Sequence, residues 1–426
     1  MLLRLTNQIT CSKALTIKFT SAPRSHFVHR KAMFGTTSQP AATHPQPDIP
    51  PTMRALQFDT YGAPDVLKYV ETRTPTLLTP HDVLVKVHAA GVNPIDCKAR
   101  SGNVSKLVKL QMPVILGGEF SGVVVGKGDL VVDFETGNEV FGMLYNPLSG
   151  SGAYAEYVLV NTIKDAIAHK PTNMTHTSAG SVAICLLTAY TGLIALGNLP
   201  SAPTTPKCLI IGASGGVGHF AVQIAKASGA HVVGVCSSRN AKLVHDEWGA
   251  DRTVDYTSSD FADVLRGEQS EFDVVLDCVG GDDQYNRAWP LLKPTGQYVT
   301  AVGPMPHIGA EPVRVFDMLS IVGTLAVRKV FGARGYKFIG KVLHHEWRGE
   351  LREWLAEGKV KSWVPAEQIF ELKDGAKGHA LSETNRAVGK IVPPVLKPIL
   401  ILTTPQNQCG ERGANGEAER ASIITG

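Results

Sequence analysis

The sequence predicts a mixed α/β fold, a β-rich domain followed by a doubly wound parallel sheet. Two patterns predict it. Residues 53–171 carry short β-like runs separated by Gly, Pro and Asn, the punctuation of a small β-rich domain. Beyond residue 207, apolar strand-like runs alternate with helical stretches. Strand–helix–strand alternation argues a parallel sheet with helices on both faces.

Residues 1–52 form a leader and linker. They hold six Lys/Arg and one acid, Asp48, and residues 1–47 hold no Asp or Glu. A basic, acid-free, Ser/Thr-rich leader has the composition of a mitochondrial transit peptide. The other reading is a disordered extension, or a later start at Met33 or Met53 and a cytoplasmic protein. The run Pro45-Gln46-Pro47-Asp48-Ile49-Pro50-Pro51 favours extended backbone and marks a boundary near residue 52.

The β-rich domain, 53–171, reads as strands around Ala55–Phe58, Val83–Val87, Gly122–Val125 and Ala155–Val160. The second domain, 172–329, opens with the uncharged stretch Thr177–Pro206. That stretch is long enough to span a bilayer. Its glycines and hydroxyls (Gly180, Ser181, Thr188, Thr191, Gly192, Gly197) favour a buried helix of a soluble protein instead, so no transmembrane segment is expected. Strands follow at Cys208–Ile211, His231–Val235, Asp273–Leu276 and Tyr298–Val299, with helices over 217–228, 240–248, 258–267 and 283–292. Residues 330–394 are mixed, and Lys390-Ile391-Val392 reads as a closing strand. The tail, 395–426, has the composition of a disordered segment.

Composition narrows the function. Of 426 residues, 43% are apolar and 19% charged, which supports a large core. The net charge is +4, but the leader contributes +5, leaving residues 53–426 at −1. A near-neutral body lacks the electrostatic footprint of a nucleic-acid binder. Seven cysteines lie far apart with no C-x-x-C, which argues against a disulfide framework and for a reducing compartment.

The strongest local signal is Gly212-Ala213-Ser214-Gly215-Gly216-Val217-Gly218, placed between an apolar strand and a helix. Glycines there permit a tight turn and close approach of backbone to a pyrophosphate. The helix N-terminus then offers N–H groups and a positive dipole end to the anion. The spacing is Gly-x-x-Gly-x-x-Gly, and its position inside a βαβ unit points to dinucleotide binding rather than a merely structural turn.

NAD-preferring sites place an acid about 20 residues on, where it holds the ribose 2′-OH. Here that position reads Cys236-Ser237-Ser238-Arg239. Hydroxyls and a guanidinium suit a 2′-phosphate, which a carboxylate would repel. NADPH is therefore the expected cofactor, the plain reading of Arg239 being a solvated first-turn residue. Tyr256 is placed to cover the adenosine end, or else is an ordinary surface tyrosine.

No metal site is expected. Catalytic zinc needs about three Cys, His or acidic ligands and an open position. Asn93-Pro94-Ile95-Asp96 offers no thiolate, and Gly117-Gly118-Glu119 no imidazole. His344-His345-Glu346 lies in an expected helix, where adjacent histidines diverge.

Together these residues resemble the medium-chain dehydrogenase/reductase superfamily, in its zinc-free quinone oxidoreductase branch. The resemblance covers about 53–393. It rests on Asn93-Pro94-Ile95-Asp96, Leu116–Gly122, Gly152–Tyr157, Leu187–Tyr190, the glycine turn and Asp277-Cys278-Val279-Gly280-Gly281. Within that branch, Cys236-Ser237, Asp255-Tyr256, Gly378-His379-Ala380 and the basic leader are similar to the reticulon-interacting mitochondrial oxidoreductases. The resemblance implies a GroES-like catalytic domain, a Rossmann NADPH-binding domain, a C-terminal return to the first domain, and a homodimer. It implies NADPH contacts at Ser214, Gly216, Val217, Ser237 and Tyr256, beside Gly215, Gly218, Ser238 and Arg239 from the turn and the strand end. Asn93 and Thr188 would lie near the nicotinamide.

Without a metal or an obvious acid, the acceptor should be intrinsically electrophilic: a quinone or a conjugated carbonyl, for which orientation matters more than acid catalysis. Asn93 either orients nicotinamide or acceptor, or caps the turn that follows. Tyr61 either donates a proton or is a turn residue in Tyr61-Gly62-Ala63-Pro64. Enoyl reductases of this superfamily carry a proton-donating tyrosine after the Asn-Pro segment, and here Ser101-Gly102-Asn103-Val104-Ser105 has none. Enoyl-thioester reduction and a non-catalytic NADPH-binding scaffold are the alternatives.

Overall fold

The computed structural model describes residues 49–395, except 107, 200–204, 305–319, 322, 329–334 and 343–346. The expectations for the leader up to Asp48, for His344-His345-Glu346 and for nearly all of the tail lie outside the described residues. The antiparallel part comprises β1 (Thr52–Phe58), β2 (Lys68–Arg73), β3 (Asp82–Ala90), helix α1 (Pro94–Ser101), β4 (Val114–Ile115), β5 (Glu119–Lys127), β6 (Glu139–Met143), β7 (Tyr157–Asn161) and β8 (Ala166–His169). Five of these strands form a sheet in the order β7-β3-β5-β6-β8, and β2-β1-β4 form a second.

Helices α2 (His176–Ala179) and α3 (Ala183–Tyr190) lead into the parallel part. There β9 (Lys207–Ile211), α4 (Gly218–Ala227), β10 (His231–Cys236), α5 (Ser238–Lys242), β11 (Arg252–Asp255), α6 (Phe261–Val264), β12 (Phe272–Asp277), α7 (Asp282–Ala288), β13 (Leu292–Thr300) and β14 (Gly335–Phe338) follow. The six strands lie in the order β11-β10-β9-β12-β13-β14, all parallel. Two helices, α8 (Glu350–Ala356) and α9 (Gly375–Glu383), belong to the return segment.

Why this sheet is buried on both faces is visible in β9. Cys208 and Ile210 join the core beneath α4, with Phe220, Val222 and Ile224. Leu209 and Ile211 join a separate core on the other face, with Phe261, Leu265 and Ala288. Side chains alternate along a strand, so a continuous apolar run is what a strand covered on both faces requires. In the antiparallel part, Val83, Val85 and Val87 of β3 face the interior with Phe120 and Val158, while Leu84 faces a smaller cluster with Met53 and Tyr157.

The uncharged stretch is not one helix. α2 ends at Gly180, where a Cβ would lie 2.6 Å from the carbonyl oxygen of Ala89, so only glycine lets the chain pass the end of β3. α3 then gives way to a wider turn over Thr191–Leu196, where Gly192 packs against Leu276 and Ile339. Most of its described residues are buried, and among the described residues no helix is long and apolar enough to cross a membrane.

The expected closing strand is instead a set of isolated bridges, Val92 to Ile391, Ala89 to Pro394 and Ile369 to Val392. The segment pairs briefly with several partners because it also holds the parallel part. Gly389 N–H donates to the Ser214 carbonyl at 3.0 Å, and Lys390 N–H to that of Trp363 at 2.8 Å. Gln223 on α4 bonds the Lys361 backbone in both directions, at 3.0 and 2.8 Å.

Candidate active site

The glycine turn lies where β9 meets α4. Gly212 sits at φ +81°, a conformation that glycine adopts without strain. The N–H groups of Gly212 and Ala213 donate to the Val235 carbonyl, at 3.1 and 2.9 Å, tying the turn to β10. A Cβ on Gly218 would overlap the Gly212 carbonyl oxygen, so the helix begins this close to the strand only without a side chain. His219 locks the first turn from below. Its Nδ1 lies 3.2 Å from the Gly215 carbonyl oxygen, which can only accept, so Nδ1 carries the proton and Nε2 accepts from Trp363 N–H at 3.5 Å. Burial pushes this imidazole down to about 3, so it is neutral near pH 7.

Ser214 Oγ accepts from Asn240 Nδ2 at 3.0 Å, and its carbonyl is held by Gly389. Gly215, Gly216 and Val217 are partly exposed along the turn, and Val217 is the N-cap of α4. At the far end, Cys236 of β10 is paired with Asp255 of β11. Ser237, Ser238, Arg239 and Tyr256 therefore converge at neighbouring strand ends. Ser237 is buried, Ser238 and Arg239 are exposed, and Tyr256 is 61% exposed. Arg239 Nη2 reaches the Arg386 carbonyl at 3.5 Å.

Asn93 is buried and is the N-cap of α1, but its side chain does not do the capping. Asp96 reaches back instead, its Oδ2 accepting from Asn93 N–H at 2.9 Å. The Asn93 carboxamide faces the other way. Its Nδ2 donates to Glu119 Oε1 at 2.8 Å, and its Oδ1 accepts from Lys390 Nζ at 2.6 Å. Lys390 also lies 2.9 Å from Glu119 Oε1 and 3.2 Å from Cys185 Sγ. Glu119 Oε2 accepts from Ile184 N–H at 2.9 Å, fixing the start of α3. Burial opposes the charge on Lys390, but Cys185 and Glu119 outweigh it and hold the ammonium above the usual lysine range. Burial raises the Cys185 thiol against the pull of Lys390.

This cluster sits under the turn, for a Cβ on Gly216 would lie 3.2 Å from Cys185 Sγ and 3.6 Å from Lys390 Cδ. The sequence reading missed Glu119, Cys185 and Lys390 as a group. The available signal was a lone acid opening an apolar strand (Glu119-Phe120-Ser121) and a lone cation opening another apolar run (Lys390-Ile391-Val392). Complementary isolated charges in buried segments imply a buried pair.

The remaining expected site residues stand nearby or apart. Thr188 is on α3, half-buried, with Oγ1 donating to the Ile184 carbonyl at 2.7 Å. Tyr61 packs on Phe58 and against Gly102, and its hydroxyl accepts from Leu110 N–H at 3.4 Å. Behind Asn93, Asp96 also accepts from Tyr154 Oη at 3.1 Å, and burial raises its carboxyl to about 7.

Among the described residues, no group of three or more His, Cys, Asp or Glu is gathered as a metal would require. Asn93, Glu119 and Cys185 surround the Lys390 ammonium, and a second cation there would be repelled. The turn does fit a dinucleotide: it has glycine at four of its seven positions, 212–218, and opens a ten-residue helix.

Residues 79–172 match the family described as alcohol dehydrogenase GroES-like domain, and residues 248–392 the family described as zinc-binding dehydrogenase. The chain is 33% identical to the NAD(P)H oxidoreductase RTN4IP1, mitochondrial, of Mus musculus, over 81% of this chain and 89% of that one. The quinone oxidoreductase of Coxiella burnetii is 31% identical and superposes with a TM-score of 0.67 over 81% of this chain and 100% of that one. The Escherichia coli quinone oxidoreductase complexed with NADPH is 25% identical, with a TM-score of 0.64 over 80% and 99%. The glycine turn, the paired sheets and these likenesses agree: the chain belongs to the medium-chain dehydrogenase/reductase superfamily, among its quinone-oxidoreductase-like members, and is an oxidoreductase with a nicotinamide-dinucleotide site.

Proposed function

We propose that the protein uses NADPH to reduce a quinone or conjugated carbonyl without a metal. The observation that carries this reading is Lys390, whose ammonium lies between Asn93, Glu119 and Cys185, where it would repel a metal ion. When bound, the cofactor supplies the hydride. The turn at Ser214–Gly218 would hold its pyrophosphate, with Ser237, Ser238 and Arg239 receiving the 2′-phosphate and Tyr256 beside them. Asn93, clamped at both ends of its carboxamide by Glu119 and Lys390, cannot rotate freely. Thr188, on α3 after Ile184, would line the nicotinamide end, and Tyr61 the outer wall.

An orienting site suits an acceptor that is already electrophilic, because positioning supplies much of the rate enhancement. The test is to purify the full chain, titrate NADPH against NADH by fluorescence, and follow loss of the reduced-nicotinamide absorbance. A quinone, an enone and an enoyl thioester would serve as acceptors. The reading expects tighter NADPH binding and turnover of quinone or enone. Turnover of the thioester alone, or tight NADPH binding without turnover, would favour the alternatives. Mitochondrial targeting by the basic leader is part of the same reading, and fusing residues 1–52 to a reporter tests it. So is a homodimer, tested by sedimentation.

A further inference from the structure

We propose that Cys185 and Lys390 form a reversible, oxygen-bridged covalent link, Sγ–O–Nζ, under peroxide. The two atoms lie 3.2 Å apart with no group between them, and both residues are buried. A single bridging oxygen spans a gap of that size once the two side chains settle by a few tenths of an ångström. The oxidant's route is short. Cys185 Sγ lies directly beneath Gly216, where the absence of a side chain leaves backbone alone between the sulfur and the partly exposed turn.

The chemistry balances. One thiol, one amine and two molecules of hydrogen peroxide give the Cys–S–O–NH–Lys link and three waters. The sulfur loses two electrons on reaching the sulfenyl level, the first rung of cysteine oxidation. The nitrogen loses two on reaching the hydroxylamine level. Each peroxide accepts two electrons as its O–O bond breaks. Lys390 must react as the free amine, and Glu119 Oε1, 2.9 Å from Nζ, is placed to take its proton. A buried ion pair thereby becomes a neutral link beside a neutral acid, so no unpaired charge is left in the core. Burial holds Cys185 as the thiol and the carboxylate holds Lys390 as the ammonium. The reaction is therefore slow at neutral pH and faster at alkaline pH.

Forming the link removes the cation that clamps Asn93 and Glu119, and so connects peroxide to the site beneath the turn. The link itself stands whether or not the acceptor is a quinone, because its readout is a mass and not a turnover.

The experiment treats the full-length protein with hydrogen peroxide, alkylates free thiols under denaturing conditions, and analyses it by peptide mass spectrometry. The expected species joins the Cys185 and Lys390 peptides, with the mass of one oxygen gained and two hydrogens lost. Dithiothreitol removes it completely, and its yield rises with pH. It disappears in Cys185→Ala and in Lys390→Arg. The latter keeps the cation for folding, checked by circular dichroism, but has no amine to link. Three results would overturn the proposal: oxygen gained at Cys185 with no joined peptide, a disulfide between Cys185 and the partly exposed Cys278, or Cys185 recovered unmodified under peroxide that oxidises Cys278.

Discussion

Lys390 Nζ and Glu119 Oε1 meet 2.9 Å apart with side chains 2% and 0% exposed, one from the return segment and one from the first residue of β5. The pair ties four pieces of chain together, since Glu119 also holds the start of α3 and Lys390 also holds Asn93. Breaking a buried ion pair leaves an uncompensated charge, which typically costs about 3–5 kcal/mol. Glu119→Gln and Lys390→Met should each lower stability by about that amount, and the double variant by clearly less than their sum. Urea denaturation of the four proteins measures the coupling. Additive losses would show that the two groups do not act as a pair.

Gly218→Ala places a methyl group against the Gly212 carbonyl oxygen, and backbone there has no room to retreat. Overpacking of this kind costs about 1–3 kcal/mol. Here the strain falls on the turn itself, so affinity for reduced dinucleotide should fall at least tenfold while the far-ultraviolet circular dichroism is kept. Titration by cofactor fluorescence reads it. Unchanged affinity would mean that the pyrophosphate lies elsewhere.

Arg239→Ala removes a guanidinium from the first turn of α5, just beyond β10, and touches nothing in either core. A hydrogen bond to a charged group is worth about 1.5–3 kcal/mol. NADPH binding should therefore weaken by about ten- to a hundredfold while NADH binding stays within about twofold. Equal weakening of both cofactors would remove Arg239 from the phosphate pocket.

Two buried groups give stability opposite dependences on pH. His219 falls from 6.5 to about 3 on folding because burial penalises its charged form. Its contribution is whole above about pH 6.5 and is lost as pH falls toward 3, since the unfolded chain binds the proton first. Asp96 rises from 3.8 to about 7, again because of burial. Its contribution is whole below pH 3.8 and is lost as pH rises through about 7. Urea midpoints measured against pH should lose the acid-side fall in His219→Gln and the rise-side decline in Asp96→Asn. Profiles parallel to the parent would refute both assignments.

What the sequence alone determined was local. The alternation of strands and helices, the apolar run of β9 and the glycine turn between β9 and α4 are set by neighbouring residues, through side-chain period and backbone freedom. They announced the parallel sheet and the dinucleotide site. The end of β10 at Cys236 was also legible, because the second strand follows the turn at a nearly constant distance along the chain. The tertiary structure alone decided that Asn93, Glu119, Cys185 and Lys390 share one buried point. No local pattern encodes it, because each residue comes from a different element and each looks ordinary among its neighbours. Only folding, by removing water from both charges at once, makes their meeting obligatory, since a buried ammonium persists only beside a carboxylate.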